Sequence, residues 1–208
     1  MIEIVEKPRT QAERRAASEG KLLRAAAELV AEGGVAAATF ERIGERAGLS
    51  RGLVTQRFGS KEGLIHALVE DVAERFDAFL FAHHVDTLPP DEALLAFIDI
   101  YLSDTEDAAI RDTYHVLLAE SLATQPTLRP LFSRVHDGVR ERLRMLLESG
   151  QEAGTISRSL DPDVMAVSIG AFLLGIRIQR MVNPTTDIDA IRKTAIASLR
   201  TLLGSGNS

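Results

Sequence analysis

Residues 44–64 read GERAGLSRGLVTQRFGSKEGL. Two short apolar-patterned segments meet at Ala47-Gly48-Leu49-Ser50, and Ser60-Lys61 opens a third. Two short helices crossing steeply through a turn of three or four residues make a helix-turn-helix. Gly48 falls where the chain must leave the first helix in a left-handed conformation. Ser50 can then satisfy the free amides that begin the second helix. Ile43, Ala47, Leu49 and Val54 are spaced to close a miniature core under the turn. Gly44 makes room for the second helix to approach, at a propensity cost of about 1 kcal/mol relative to alanine. With Thr39 as the cap of the first helix, the motif spans about residues 39–58.

If Val54 and Phe58 point inward, Arg51, Gly52, Thr55 and Gln56 project to the other side, near a helix start. That is the part of a recognition helix that meets base edges. Gln56 can pair in bidentate fashion with adenine, and Arg51 or Arg57 with guanine or phosphate. Gly52 lets the backbone come close to a duplex. Lys61, one residue after the Ser60 cap, combines a cation with free amides at a helix N-terminus, as a phosphate site requires. Thr39 and Arg42 offer the same at the preceding helix. A three-helix packing unit with solvated arginines would explain any one of these residues, but not the set at this spacing.

Outward from this stretch, apolar residues recur at three- and four-residue spacing, with no convincing period-two strand. A first helix carries Leu22, Ala26, Leu29 and Val30 on one face, can start at Thr10 through a capping box with Glu13, and stops at Gly33-Gly34. A long helix from Ser60 carries Leu64, Leu68, Val72 and Phe76. After Pro89-Pro90, helices are expected at roughly 91–103, 106–123 and 126–152. Asp161-Pro162 opens another that runs to about Val182. Thr186 with Asp189 caps the last, to about Leu203, and 204–208 reads as a frayed tail. The expectation is an all-α chain of about nine helices, with an N-terminal domain over 1–64 and a larger helical domain over 65–208.

The 208 residues suffice for one large core or two small ones. There is no cysteine, which excludes disulfides, thiolate metal sites and a cysteine nucleophile, and fits a cytoplasmic protein. No signal peptide opens the chain, and no apolar run approaches the roughly 20 residues of a membrane helix, so no membrane partner is expected. The net charge of −6 is unevenly spread: 11 basic and 9 acidic residues through Leu64, then 13 and 21, which is +2 against −8. Such a split suits a small binding module on a larger solvated body. His83-His84 ends a helix, where a cation is favoured by the dipole; no metal or other cofactor is expected. None of His-Glu-x-x-His, a phosphate loop, Gly-x-Ser-x-Gly or a dinucleotide fingerprint is present.

From Leu22-Leu-Arg-Ala-Ala through Ala47-Gly-Leu-Ser-Arg-Gly to Phe58-Gly-Ser-Lys-Glu-Gly-Leu64, the sequence resembles the tetracycline-repressor (TetR) family of bacterial transcription regulators. The segments PTLRPLF, ESGQEAGTISRSLDPD and GAFLLGIRIQ are similar to stretches found in C-terminal halves of that family. The resemblance implies an all-α homodimer whose third helix enters the major groove. It also implies a C-terminal domain that binds a small-molecule effector, and a dimer interface made by the last two helices. Two positions depart from the family pattern. Thr55 stands where a tyrosine phosphate contact is usual, and Arg57 where histidine or tyrosine is frequent. Arg57 has the length and charge to take over the contact, or it can pair with a carboxylate such as Glu41 or Glu45. Gly44 is a milder departure, since alanine is usual there.

In the C-terminal half, Phe97, Tyr101, Tyr114, His115, Leu118, Phe132, His136 and Phe172 can line a pocket between helices or simply pack a core. Arg177 can meet a ligand anion, reach across a dimer or face water. The last two helices carry Val164, Val167, Ala171, Leu174, Ile178 and Met181, then Ile188, Ile191, Ala195, Leu199 and Leu202. A four-helix contact between protomers would bury these faces, or they cover their own core. Arg9, Arg14 and Arg15 offer an N-terminal arm, or a solvated tail. The expected function is a ligand-responsive repressor that binds a pseudo-palindromic double-stranded operator as a dimer. An activator on the same scaffold, or a helical ligand carrier or enzyme without operator binding, are the alternatives.

Overall fold

A computed structural model of the chain describes residues 10–103 and 108–204. Arg9 and the tail after residue 204 lie outside the described residues. Among those described there are nine α-helices and no strand: α1 (Gln11–Ala37), α2 (Phe40–Ala47), α3 (Arg51–Phe58), α4 (Lys61–Ala82), α5 (Pro90–Leu102), α6 (Ala108–Ala123), α7 (Arg129–Ala153), α8 (Pro162–Val182) and α9 (Ile188–Gly204). The chain divides into two compact units, Met1–Val72 with Ala109–Glu120, and Ala73–Ala108 with Ser121–Ser208. The division expected after Leu64 falls inside α4, and most of α6 goes with the first unit rather than the second.

In the first unit, Thr10 opens α1 with a reciprocal box: its hydroxyl accepts the Glu13 N–H at 3.2 Å and Glu13 accepts the Thr10 N–H at 2.7 Å. The apolar stripe of α1, with Leu22, Ala26, Leu29 and Val30, is buried. Ile43 of α2, Val54 and Phe58 of α3, and Leu64, Ile65, Leu68 and Val69 of α4 are buried as well. Burying an isoleucine or valine fully is worth about 1.5–3 kcal/mol, so Ile43 and Val54 alone go far toward holding the short α2 and α3. α1 does not stop at Gly33-Gly34: it breaks there, with Gly34 at φ 70°, and resumes to Ala37. From α6, the buried Thr113 hydroxyl donates to the Ala27 carbonyl at 2.8 Å.

The second unit is built around α5, α7, α8 and α9, whose Leu94, Phe97, Ile98, Leu102, Leu143, Leu147, Ile169, Leu173 and Leu203 form a common core. Phe76 packs edge-on to Phe97 at 5.2 Å. Asp161 caps α8, accepting the Asp163 and Val164 N–H groups at 2.9 and 3.2 Å. The cap of α9 differs from expectation: Asp187, not Thr186, accepts the Ala190 N–H at 3.0 Å. Aspartate and threonine are both good caps, and the charged acceptor one residue on sets the start.

Two further expectations are corrected in this unit. By length and composition α8 is apolar enough to cross a membrane, and only 28% of its apolar window is buried. Its Ala166, Ile169, Leu173 and Ile176 nevertheless belong to the core, and beside them Arg177 is 2% exposed and donates to the carbonyls of Tyr101 and Ser103, the latter at 2.7 Å. Arg177 therefore does not simply face water. It closes the C-terminal end of α5, where backbone carbonyls lack helical partners.

Candidate nucleic-acid interface

The turn between α2 and α3 has the geometry its residues demand. Gly48 sits at φ 66°, ψ 32° and donates its N–H back to Glu45 at 3.2 Å. A Cβ added at Gly44 would stand 2.8 Å from the Leu49 carbonyl oxygen and 3.1 Å from the Arg51 nitrogen, so α3 starts in contact with the α2 backbone. Thr39 accepts the Arg42 N–H at 3.3 Å and Ser50 accepts the Leu53 N–H at 3.2 Å, capping the two helices.

The junction of α3 with α4 is tighter than the sequence suggests. Gly59 lies at φ 69°, ψ −56°, and the Ser60 N–H donates to the Phe58 carbonyl at 2.7 Å, a γ-turn of the rare kind. The same carbonyl oxygen would collide with a Cβ at position 63. Gly63 is therefore fixed by packing, a role its place in a Lys-Glu-Gly-Leu run does not announce. The Ser60 hydroxyl accepts the Gly63 N–H at 3.0 Å, starting α4 as expected.

On the outward face of α3, Arg51, Gly52, Thr55 and Gln56 are all exposed. A Cβ at Gly52 would meet only the Ser50 hydroxyl, at 3.8 Å, so the fold itself does not need a glycine there. The Thr55 hydroxyl donates to the Arg51 carbonyl at 3.2 Å, a back-bond within the helix. Arg42, exposed at the start of α2, donates to the Ala37 carbonyl at 3.0 Å.

Arg57 and Lys61 are placed differently from expectation. Arg57 turns back onto α1: its Nη2 donates to the Arg15 carbonyl at 3.3 Å and its Nη1 stands 3.4 Å from Glu19 Oε2. Its side chain is 13% exposed and pairs with neither Glu41 nor Glu45. In this arrangement it ties α3 to α1. The Lys61 ammonium donates to the carbonyls of Val35 and Ala38, the latter at 2.8 Å. Burial lowers its pKa, and the nearby charge of Glu120 works in the opposite direction. The Val35 carbonyl, which also accepts the Ala38 N–H at 3.2 Å, and the Ala38 carbonyl lie where α1 ends, and they draw the cation inward.

One tie was not anticipated at all. Arg46 of α2 donates in bidentate fashion to Glu32 of α1 at 2.5 and 2.9 Å, and those hydrogen bonds hold the Glu32 carboxyl below its usual range. Only the acidic face of α1, opposite a basic residue late in α2, hinted at it.

The residues expected around a ligand divide between the units. Tyr114, His115 and Leu118 lie on α6 in the first, with His115 buried and its ring 5.6 Å from that of Tyr114. In the second, Phe97 and Phe132 are buried, Tyr101 is half-buried, and His136 and Phe172 are exposed. A surface depression in that unit is lined by Glu148, Gln151, Glu152 and Arg158, none of them an expected ligand residue.

The faces expected at a dimer contact also divide. On α8, Val164, Val167, Ala171 and Ile178 are exposed, while Leu174 and Met181 are half-buried. On α9, Ile188 and Ala195 are buried in the protomer's own core, Ile191 and Leu199 pack against that core, and Leu202 is exposed.

A capped, glycine-turned pair of short helices presenting arginine and glutamine outward defines a helix-turn-helix DNA-binding protein. Comparison with known proteins makes the class specific. Residues 22–68 match the model of "Bacterial regulatory proteins, tetR family", and residues 90–204 match that of "BetI-type transcriptional repressor, C-terminal". The chain belongs to the TetR family of DNA-binding transcriptional regulators. Among its relatives is the HTH-type transcriptional repressor KstR2 of Mycobacterium tuberculosis, 27% identical over 149 residues, covering 70% of this chain and 72% of that one. Another is the HTH-type transcriptional regulator BetI of Stenotrophomonas maltophilia, 31% identical over 87 residues, 41% of this chain and 44% of that one. A TetR transcriptional regulator from Chloroflexus aurantiacus superposes with a TM-score of 0.76 at 26% identity, covering 90% of this chain and 96% of its own. The SmeT–triclosan complex superposes with a TM-score of 0.73 at 25% identity, over 89% of this chain and 90% of its own.

Proposed function

We propose that the chain is a cytoplasmic, ligand-responsive repressor that binds a pseudo-palindromic operator as a homodimer and is released by a small-molecule effector. The observation that carries this reading is the outward face of α3, where Arg51, Gly52, Thr55 and Gln56 are exposed while Val54 and Phe58 are buried. Arg51 and Gln56 read base edges, Gly52 lets the protein backbone come close to the duplex, and Thr39, Ser50, Thr55 and Arg42 contact phosphate. Arg57 and Lys61 support these contacts from behind, through α1 and the approach to α2. Two heads related by a two-fold axis read half-sites about one helical turn apart, or a little more.

Dimerisation is assigned to the exposed apolar stripe of α8, Val164, Val167, Ala171, Phe172 and Ile178, continued by Leu202 of α9. Charged residues are few on that stripe, and a face of this kind is normally covered. The effector belongs to the C-terminal body and selects dimers that do not fit the operator; a structural neighbour, SmeT, forms a complex with the small molecule triclosan.

Selection of bound duplexes from a random pool tests the reading. A palindrome should emerge, and Gln56→Ala should relax the preference at one or two base pairs per half-site. Absence of any enriched sequence would refute operator binding.

A further inference from the structure

We propose that Glu120 is a positioning residue of the DNA-reading head: from α6 it seats its carboxylate in the break of α1 and holds the peptide that leads into α2. The proposal rests on the DNA-binding reading above and assigns a determinant of it that lies outside the helix-turn-helix.

The break at Gly33-Gly34 takes the chain out of helical geometry, with Gly34 at φ 70°, ψ −176°. An amide just past such a break loses its helical acceptor, and Val35 is buried, so water cannot replace it. Glu120, 85 residues further along, supplies the acceptor: its Oε1 takes the Val35 N–H at 2.8 Å. The site is shaped for it. A Cβ at Gly34 would stand 2.7 Å from that same oxygen, so a side chain there, already strained at φ 70°, would push the carboxylate out of its seat. Gly34 thus serves two purposes, a left-handed turn and a seat for a carboxylate.

The Val35 residue is gripped from both ends. Its carbonyl accepts the Lys61 ammonium, which also donates to the Ala38 carbonyl at 2.8 Å. Carboxylate and ammonium therefore lie on the two sides of one residue, and the negative charge of Glu120 favours the protonated form of a lysine that burial disfavours. Three residues after Val35 comes Ala38, then Thr39, the cap of α2. Fixing residues 35–38 fixes where α2 begins, and through the Gly44 contact where α3 begins. Thr113, two turns earlier on α6, binds the Ala27 carbonyl at 2.8 Å, so α6 is registered against α1 on both sides of the break.

The test uses the full-length protein with Glu120→Ala and Glu120→Gln, assayed well below the thermal midpoint of each. The probe is the duplex that the wild-type protein enriches from a random pool. Glu120→Ala should weaken binding to it by roughly tenfold or more, as expected for one orphaned buried amide at the head. The salt dependence should stay unchanged, since no phosphate contact is lost. The Val35 amide proton should move upfield and lose exchange protection in two-dimensional spectra. Glu120→Gln keeps an oxygen acceptor without the charge, and should restore the Val35 amide and part of the affinity. If Glu120→Ala does not fold, Glu120→Gln alone decides: wild-type affinity with a shifted Val35 amide contradicts the proposal. Equal affinity of wild type and Glu120→Ala overturns it while leaving DNA binding intact. Failure of the wild type to enrich any duplex removes the DNA-binding reading itself, and the proposal with it.

Discussion

Gly52 offers a test in which stability and binding move in opposite directions. It lies in the first turn of α3, exposed, and a methyl added there would have only the Ser50 hydroxyl within 4 Å, at 3.8 Å. Its backbone is not in the left-handed region, so alanine fits without strain. Glycine inside a helix costs about 0.5–1 kcal/mol relative to alanine. Gly52→Ala should therefore stabilise the first unit by about that amount, a rise of roughly 2–6 °C in the midpoint of its thermal transition. The same methyl would stand where the backbone approaches the duplex. Displacing one base-edge contact costs about 1–3 kcal/mol, roughly fivefold to 150-fold in Kd. Calorimetry and fluorescence anisotropy on the enriched duplex give both numbers from one preparation. A variant that is more stable and binds as well as wild type would refute the claim that the glycine serves DNA. One that is less stable would refute the claim that the fold leaves room.

The remaining expectations are simpler. Arg42→Ala should reduce the salt dependence of DNA binding by about one counterion per half-site, whereas Arg57→Ala should leave that slope unchanged and lower thermal stability, because Arg57 is held by Arg15 and Glu19. Titrating affinity against salt separates the two. Val167→Asp, on the exposed stripe of α8, should shift the protein to monomer in analytical ultracentrifugation and abolish tight operator binding; a dimer that persists would place the interface elsewhere. Glu32 is held below its usual range by Arg46, so the unfolded chain takes up a proton more readily than the folded one. The stabilisation is present above the ordinary carboxyl value of about 4.3 and is lost as pH falls through the lowered one. Glu32→Gln should flatten the acid limb of a midpoint-against-pH curve and change the neutral midpoint little, as suits an exposed pair.

The helix-turn-helix was readable because its determinants are local. Gly48, Ser50 and Thr39 act within four residues of themselves, and Ile43, Val54 and Phe58 follow a helical period. Nearly all helix limits were legible for the same reason. What escaped were polar contacts between residues far apart in the chain. Arg57 had several carboxylates to choose from, and its choice of Glu19 depends on how α1 lies beside α3. Lys61 reads as a phosphate ligand because nothing near it in the sequence announces the Val35 and Ala38 carbonyls within its reach. Glu120 is one of many acidic residues in the latter part of the chain, with no periodic or motif signal attached. On α9, the pattern of Ile191, Ala195 and Leu199 told that a face is apolar, but not which neighbour covers it.

The Phe58 carbonyl serves at once as the acceptor of the Gly59 γ-turn and as the surface against which Gly63 closes. The pitch of α3 is thus set from its inner end, by backbone atoms and hydrogen. No side chain on the reading face takes part in that hinge. Arg51 and Gln56 can consequently be exchanged as letters are exchanged in a fixed typeface: the message alters while the angle of the page does not. A library varied at those two positions should yield folded proteins with new operators, and one varied at Gly63 should yield few folded proteins of any kind.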